Sequence, residues 1–125
     1  MATRATHKAR GATHESDIQK DARAKGYESD KIARAGAKDQ GDVIVRDIEI
    51  KGHAIVEAKA PGLDGKIDIP GWLREAKVEA QNYADARGMD VGRLVPMVVI
   101  KARGKSIDEA YVVMRWGDVV KQQRS

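Results

Sequence analysis

Three residues of this 125-residue chain could do chemistry by their type and spacing: Asp42, Glu57 and Lys59. Asp42 opens the run Gly41-Asp42-Val43-Ile44-Val45, and the other two lie in Ala54-Ile55-Val56-Glu57-Ala58-Lys59-Ala60. Both runs are dense in β-branched residues and read as short strands. Lys51-Gly52-His53 supplies a turn between them. Side chains alternate along a strand, so Glu57 and Lys59 project one way while Val56, Ala58 and Ala60 project the other. An antiparallel pairing then brings Asp42 beside Glu57. Unpaired buried charge is costly, and a divalent cation between the two carboxylates would remove that cost. Hard cations such as Mg²⁺ take oxygen ligands and keep waters for chemistry. A metal site at the end of a small sheet is therefore expected.

The bare pattern Glu-x-Lys is weak, because it occurs three times: Glu49-Ile50-Lys51, Glu57-Ala58-Lys59 and Glu75-Ala76-Lys77. Context separates them. The third falls on a helix, where residues two apart do not share a face. The first follows Asp42 too closely for a turn and a returning strand. Only the second has an apolar lead-in and an acid fifteen residues earlier across a hairpin. Glu49 and Glu75 are accordingly expected to stand outside the site.

The elements that must position these residues follow in order. Residues 1–12 carry Arg4, Lys8 and Arg10 with no acid and almost no apolar mass, which reads as a flexible basic arm ending at Gly11. Thr13 can cap a helix running to about Lys25 and stopped by Gly26. Glu15 falls on its thin inward stripe with Ile18 and Ala22. An acid there can answer the helix dipole or reach into the site, and position alone leaves both open. Lys31 to Ala35 reads as a short edge strand, and the loop after it holds Arg34 and Lys38, two cations suited to phosphates. Val43 to Ile50 and Ala54 to Ala60 form the central strands. Pro61 to Pro70 is a loop, and Asp68 or a neighbour caps a main helix from about Pro70 to Arg87, closed by Gly88. Trp72, Leu73, Ala76, Ala80, Tyr83 and Ala84 lie on one face of it, with Lys77 and Gln81 at the border. Leu94 to Ala102 is a third long strand, whose beginning Pro96 places at an edge. Glu109 to Trp116 gives a fourth, and Gly117 to Gln123 a short helix or tail. The expected architecture is one α/β domain over residues 13–125, a mixed sheet flanked by helices.

Composition narrows the partners. The net charge is +4, and residues 1–38 carry all of it, with nine Lys/Arg against five Asp/Glu. A basic segment beside an acidic metal site suits a polyanion such as DNA. There is no Cys, which excludes disulfides and thiolate metal sites and fits a reducing, cytoplasmic setting. No apolar run approaches a membrane span, and Met1 to Lys8 has no apolar leader region. Phe is absent, so Val, Ile, Leu, Ala and Met must build the core. No glycine-rich phosphate loop opens a helix, which argues against a nucleotide-binding enzyme.

Asp42 followed by Glu57-Ala58-Lys59 resembles the core of the PD-(D/E)xK nucleases, with Gly41 standing where the motif often has proline. The likeness extends outward. Arg10-Gly11-Ala12-Thr13-His14-Glu15, a helix ending at Lys25-Gly26-Tyr27, and Arg34 to Asp42 are similar to the opening of archaeal-type Holliday-junction resolvases and their small phage relatives. It covers residues from about 10 to 116. The resemblance implies a restriction-endonuclease-like domain and Mg²⁺-dependent hydrolysis of DNA, with Mn²⁺ able to substitute. It implies that Asp42, Glu57 and the Ala58 carbonyl hold the metal and that Lys59 orients or activates water. Glu15 corresponds to a glutamate that the family's first helix contributes to the site. Some related nucleases use a glutamine on the following helix, a place that Gln81 fits. The family often has a serine in the loop before the aspartate, and here Gly36, Ala37 and Lys38 stand instead.

Arg4, Lys8, Arg10, Arg34, Lys38 and Lys77 are the residues expected on the DNA backbone, where contacts give affinity without sequence readout. Paired nicks on a four-way junction need two sites, so a homodimer is expected, with Trp72, Val112, Met114 and Trp116 as interface candidates. Two other outcomes remain consistent with the sequence. One is a less structure-selective endonuclease or exonuclease of the same fold; the other is a catalytically idle DNA-binding protein, against which the intact Asp42, Glu57 and Lys59 argue.

Overall fold

The computed structural model describes residues 4–33, 39–62 and 65–120, with side chains from residue 10 onward. The expected DNA contacts Arg34 and Lys38, and the side chains of Arg4 and Lys8, lie outside the described residues.

The order of elements is α1 (Arg4–Ala24), β1 (Ser29–Lys31), β2 (Val43–Ile48), β3 (Gly52–Lys59), α2 (Ile69–Arg87), β4 (Leu94–Ile100), β5 (Tyr111–Val113) and α3 (Trp116–Val119). Five strands form one sheet in the order β1-β2-β3-β4-β5. Only β3 and β4 run parallel, joined by α2 as the crossover; every other neighbour is antiparallel. The sheet is therefore mixed, and the chain is a single α/β domain.

Alternation along the strands divides the core. Val43, Val45, Ala54, Val56, Val95, Met97 and Val99 pack with Ile18 of α1 on one face. Ile44, Ile55 and Leu94 pack with Ala80, Tyr83 and Ala84 of α2 on the other, and Val98 and Ile100 pack there with Ala76. The central strands are thus covered on both sides, which explains their nearly unbroken apolar runs.

The main helix has the ends that its sequence predicts. Asp68 Oδ1 accepts from Gly71 N at 3.0 Å, and Gly88 closes the helix in the left-handed region at φ 60°. Pro96 also sits as expected. β5 pairs only with Val98 to Ile100, so the beginning of β4 has an open side where a missing N–H costs no ladder bond.

Other boundaries differ. The first helix begins at Arg4 instead of Thr13, and Gly11 is inside it. A single glycine costs a helix about 1 kcal/mol and does not by itself end it. The edge strand lies at Ser29–Lys31, ahead of the expected Lys31–Ala35, because Ser29 Oγ donates to Ile44 O at 2.8 Å and fixes the register. The fourth long strand shrinks to Tyr111–Val113, with Trp116 already in α3. Among the described residues no helix is long and apolar enough to cross a membrane.

Candidate active site

The site lies where the beginning of β2 meets the end of β3. Val43 pairs with Val56, which places Asp42 opposite Glu57 as the hairpin argument requires. Three backbone-level contacts hold Asp42. Its N–H donates to Val56 O at 3.0 Å, its carbonyl accepts from Ile32 N at 2.9 Å, and its Oδ2 accepts from Ala58 N at 2.8 Å. Gly41 lets the chain enter this position. It has φ 99°, and a Cβ there would lie 2.8 Å from Ile55 Cγ2. Helix α2 pins the approach: Asn82 Nδ2 donates to Asp39 O at 2.8 Å and Arg87 Nη1 to Gln40 Oε1 at 2.7 Å.

From the opposite face, α1 presents Glu15. Its neighbour His14 is buried and sits with Nε2 2.9 Å from Val99 O, which fixes the rotation of the helix against the sheet. Burial holds His14 below its ordinary pKa, outweighing the bond to Val99, so the ring is a neutral structural anchor. Glu15 consequently reaches Asp42. Burial, then the charge of Asp42 and a hydrogen bond to it, push Glu15 up to about 7.

Glu57 is buried at 7% exposure. Burial raises it to about 7, with Asp42 adding to the rise, against a hydrogen bond from Glu79 that pulls it down. Lys59 Nζ lies 3.5 Å from Glu57 Oε1 and 3.2 Å from Glu75 Oε2. Burial alone would lower the Lys59 pKa, but the two carboxylates prevail and raise it, so the ammonium stays charged. The Trp72 ring lies 5.5 Å from the same nitrogen, which confines it further.

Glu79, which the motif reasoning passed over, is the most buried acid here at 2% exposure. Burial, then a hydrogen bond and charge from Glu57, push it up to about 11, so it keeps its proton at neutral pH in the absence of a cation. No donor among the described residues reaches Glu57 Oε2 or either oxygen of Glu79. The pair is satisfied either by a proton shared between carboxyls or by a cation. A signal for Glu79 was present in the sequence: it falls inside the apolar stripe made by Ala76, Ala80 and Tyr83, where an acid needs a reason.

The site thus brings together Glu15, Asp42, Glu57 and Lys59, with the Ala58 backbone bound to Asp42. It does not bring in Gln81, whose Nε2 donates to Asp85 at 2.8 Å on the exposed side of α2. Four residues separate Gln81 from Lys77 and from Asp85, so all three share an outward face, and Lys77 is exposed. The two positions facing the sheet acids are instead Glu75 and Glu79. Glu75 therefore borders the candidate site, contrary to the expectation that it stands outside, since Lys59 reaches across to the helix. Glu49 stays outside and accepts from Tyr27 Oη at 3.2 Å. Arg10 is packed against the loop after β3, where a Cβ on Gly62 would lie 2.6 Å from Nη1; its Nε and Nη2 are buried with no acceptor among the described residues.

The donor set is all oxygen, which suits a hard cation and excludes the thiolate and imidazole sites of softer metals. Apart from the proton of Glu79, no donor among the described residues serves Glu57 Oε2; Glu15 and Asp42 crowd together, and both Glu15 and Glu57 are raised, so these residues fit a divalent ion.

No protein-family model and no curated protein matches the sequence. Among solved structures, the chain is similar to Hjc, a Holliday junction resolvase of the archaeal hyperthermophile Archaeoglobus fulgidus. The TM-score is 0.49 at 13% identity, over 83% of this chain and 88% of that one.

Proposed function

We propose that the chain is a metal-dependent endodeoxyribonuclease that hydrolyses phosphodiester bonds in branched DNA, with a four-way junction as substrate and Mg²⁺ as the ion. The observation that carries the proposal is the convergence of Glu15, Asp42, Glu57 and Lys59 from α1, the β2 entry and β3. The sequence likeness of the same residues to the PD-(D/E)xK core agrees with it.

Asp42, Glu57 and the Ala58 carbonyl would hold the ion, with Glu15 at its border. Bound there, such an ion would polarise a phosphate oxygen and lower the pKa of water. The protein supplies the rest. Glu57, Glu75 and the Trp72 ring fix the Lys59 ammonium beside the carboxylates, where it offsets charge building on the phosphoryl oxygens. His14 holds α1 in rotation so that Glu15 faces Asp42. Arg4, Lys8, Arg10, Arg34, Lys38 and Lys77 would add sequence-independent contacts to the DNA backbone.

Paired incisions need a symmetric dimer. Tyr111 and Val112 on the edge strand and Trp116 on the helix after it are exposed, with Trp116 at 78% exposure. That edge of the sheet is the proposed interface. Met114 packs instead against the core, and Trp72 is taken up by Lys59.

The experiment is incubation of the full chain with a strand-labelled four-way junction, a linear duplex and a single strand, each in Mg²⁺, alongside sedimentation. Symmetry-related cuts on the junction by a dimer are expected. A monomer cutting branched and linear DNA at similar rates would replace the resolvase reading with a general nuclease; no cutting of any of them would overturn both.

A further inference from the structure

Helix α2 places Glu75 and Glu79 four residues apart on one face, directed at β3. Glu57, Glu75 and Glu79 each offer one carboxylate oxygen, all within 4.8 Å of one another. Around an ion with Mg–O distances of about 2.0–2.1 Å, ligand oxygens lie about 3 to 4 Å apart, so only a small closure is needed. The independent sign of a ligand is Glu79. It is 98% buried, no donor from outside the cluster among the described residues reaches either of its oxygens, and it points at Glu57, whose Oε2 no such donor reaches either; without an ion, only a proton shared between the two carboxyls joins them.

Three carboxylates without enough donors would be a poor way to stabilise a helix against a sheet. Hydrophobic residues of that volume would pack at lower cost. Lys59 does not complete the cluster. Its ammonium reaches Glu57 Oε1 and Glu75 Oε2, leaving Glu57 Oε2 and Glu79 with no cation beside them among the described residues.

We infer that Glu57, Glu75 and Glu79 form a second divalent-cation site for Mg²⁺ or Mn²⁺, on the α2 side of β3 and sharing Glu57 with the Asp42 site. The inference rests on the proposed nuclease reading for its purpose: two ions bridged by one carboxylate can hold both the attacking and the leaving oxygen of a displacement. Its existence does not depend on that purpose. Glu75 is the adjustable ligand, since its side chain is half exposed and can move onto or off the ion. Glu79 is the fixed one.

The test is Mn²⁺ binding to the full chain without DNA, read by the electron paramagnetic resonance signal of free Mn²⁺. Wild type should bind two ions per chain. Glu79→Gln and Glu75→Gln should each remove one, or weaken it at least tenfold, while leaving the other; Asp42→Asn should remove the other and leave this one. Glu75→Gln is the safe variant for folding, because its side chain is not buried, and circular dichroism checks both. One ion in wild type, lost in Asp42→Asn and kept in Glu79→Gln and Glu75→Gln, would overturn the second site and leave the proposed function standing. One ion lost in Glu79→Gln and kept in Asp42→Asn would support this site and remove Asp42 from the metal. No binding at all would overturn both.

Discussion

Replacing Glu57 by Gln should make the metal-free protein more stable, and the gain should depend on pH. Glu57 is 7% exposed and is held at about 7 in place of the ordinary 4.5. Its folded pKa is raised, so the folded state binds the proton more tightly. Stability is fullest below about 4.5 and falls as pH rises through about 7. A raise of that size corresponds to about 3 kcal/mol once the group is ionised. The Lys59 contact at 3.5 Å is already contained in that raised value, so glutamine removes the cost net of it. The net gain in chelator at pH 8 should be about 1–3 kcal/mol, which raises Tm by roughly 3–10 °C in a domain this size. At pH 4.5 the difference should vanish. Scanning calorimetry of both proteins at the two pH values, in chelator and then in Mg²⁺, provides the readout. Mg²⁺ should reverse the order, since only wild type keeps the full carboxylate set. A Glu57→Gln protein less stable than wild type at both pH values would refute the claim that this carboxylate is held ionised at a cost.

Because Glu15 and Glu57 both lose their protons near pH 7, Mg²⁺ affinity should climb steeply between pH 6 and 8, measured by calorimetric titration. A flat profile would mean that neither acid is a ligand. His14→Ala should cost about 3 kcal/mol in denaturant unfolding, since it leaves a cavity beside Ile18 and strips Val99 O of its partner. Gln81→Ala should cleave DNA at the wild-type rate, whereas Glu75→Gln should slow it, because only the second touches Lys59.

The juxtaposition of Asp42, Glu57 and Lys59 is legible from the hairpin. Period-two alternation with a short turn put Asp42 opposite Glu57, and the same reasoning placed Lys59 beside Glu57. Caps at Asp68 and Gly88 were legible because each has a local cause. Glu15 was legible only as an acid on an inward stripe; what decides its role is the rotation of α1, set by His14 against a carbonyl 85 residues away. The Asp…Glu-x-Lys motif contains no helix position, so it does not point to Glu79. On a helix the choice between Glu79 and Gln81 is a rotation of about 200°, and the apolar residues flanking Glu79 already indicated which faces inward. The start of α1 was not legible, since Arg4 to Ala12 lacks the apolar spacing that marks a packed helix.

The most direct test of the central claim is single-turnover cleavage of a labelled four-way junction by wild type and by Asp42→Asn. Mg²⁺ should give cuts with wild type and none in excess chelator. Asp42→Asn should bind the junction as well as wild type yet cleave it slower by on the order of a hundredfold or more. Cleavage at the wild-type rate by Asp42→Asn, or undiminished cleavage in chelator, would contradict the account.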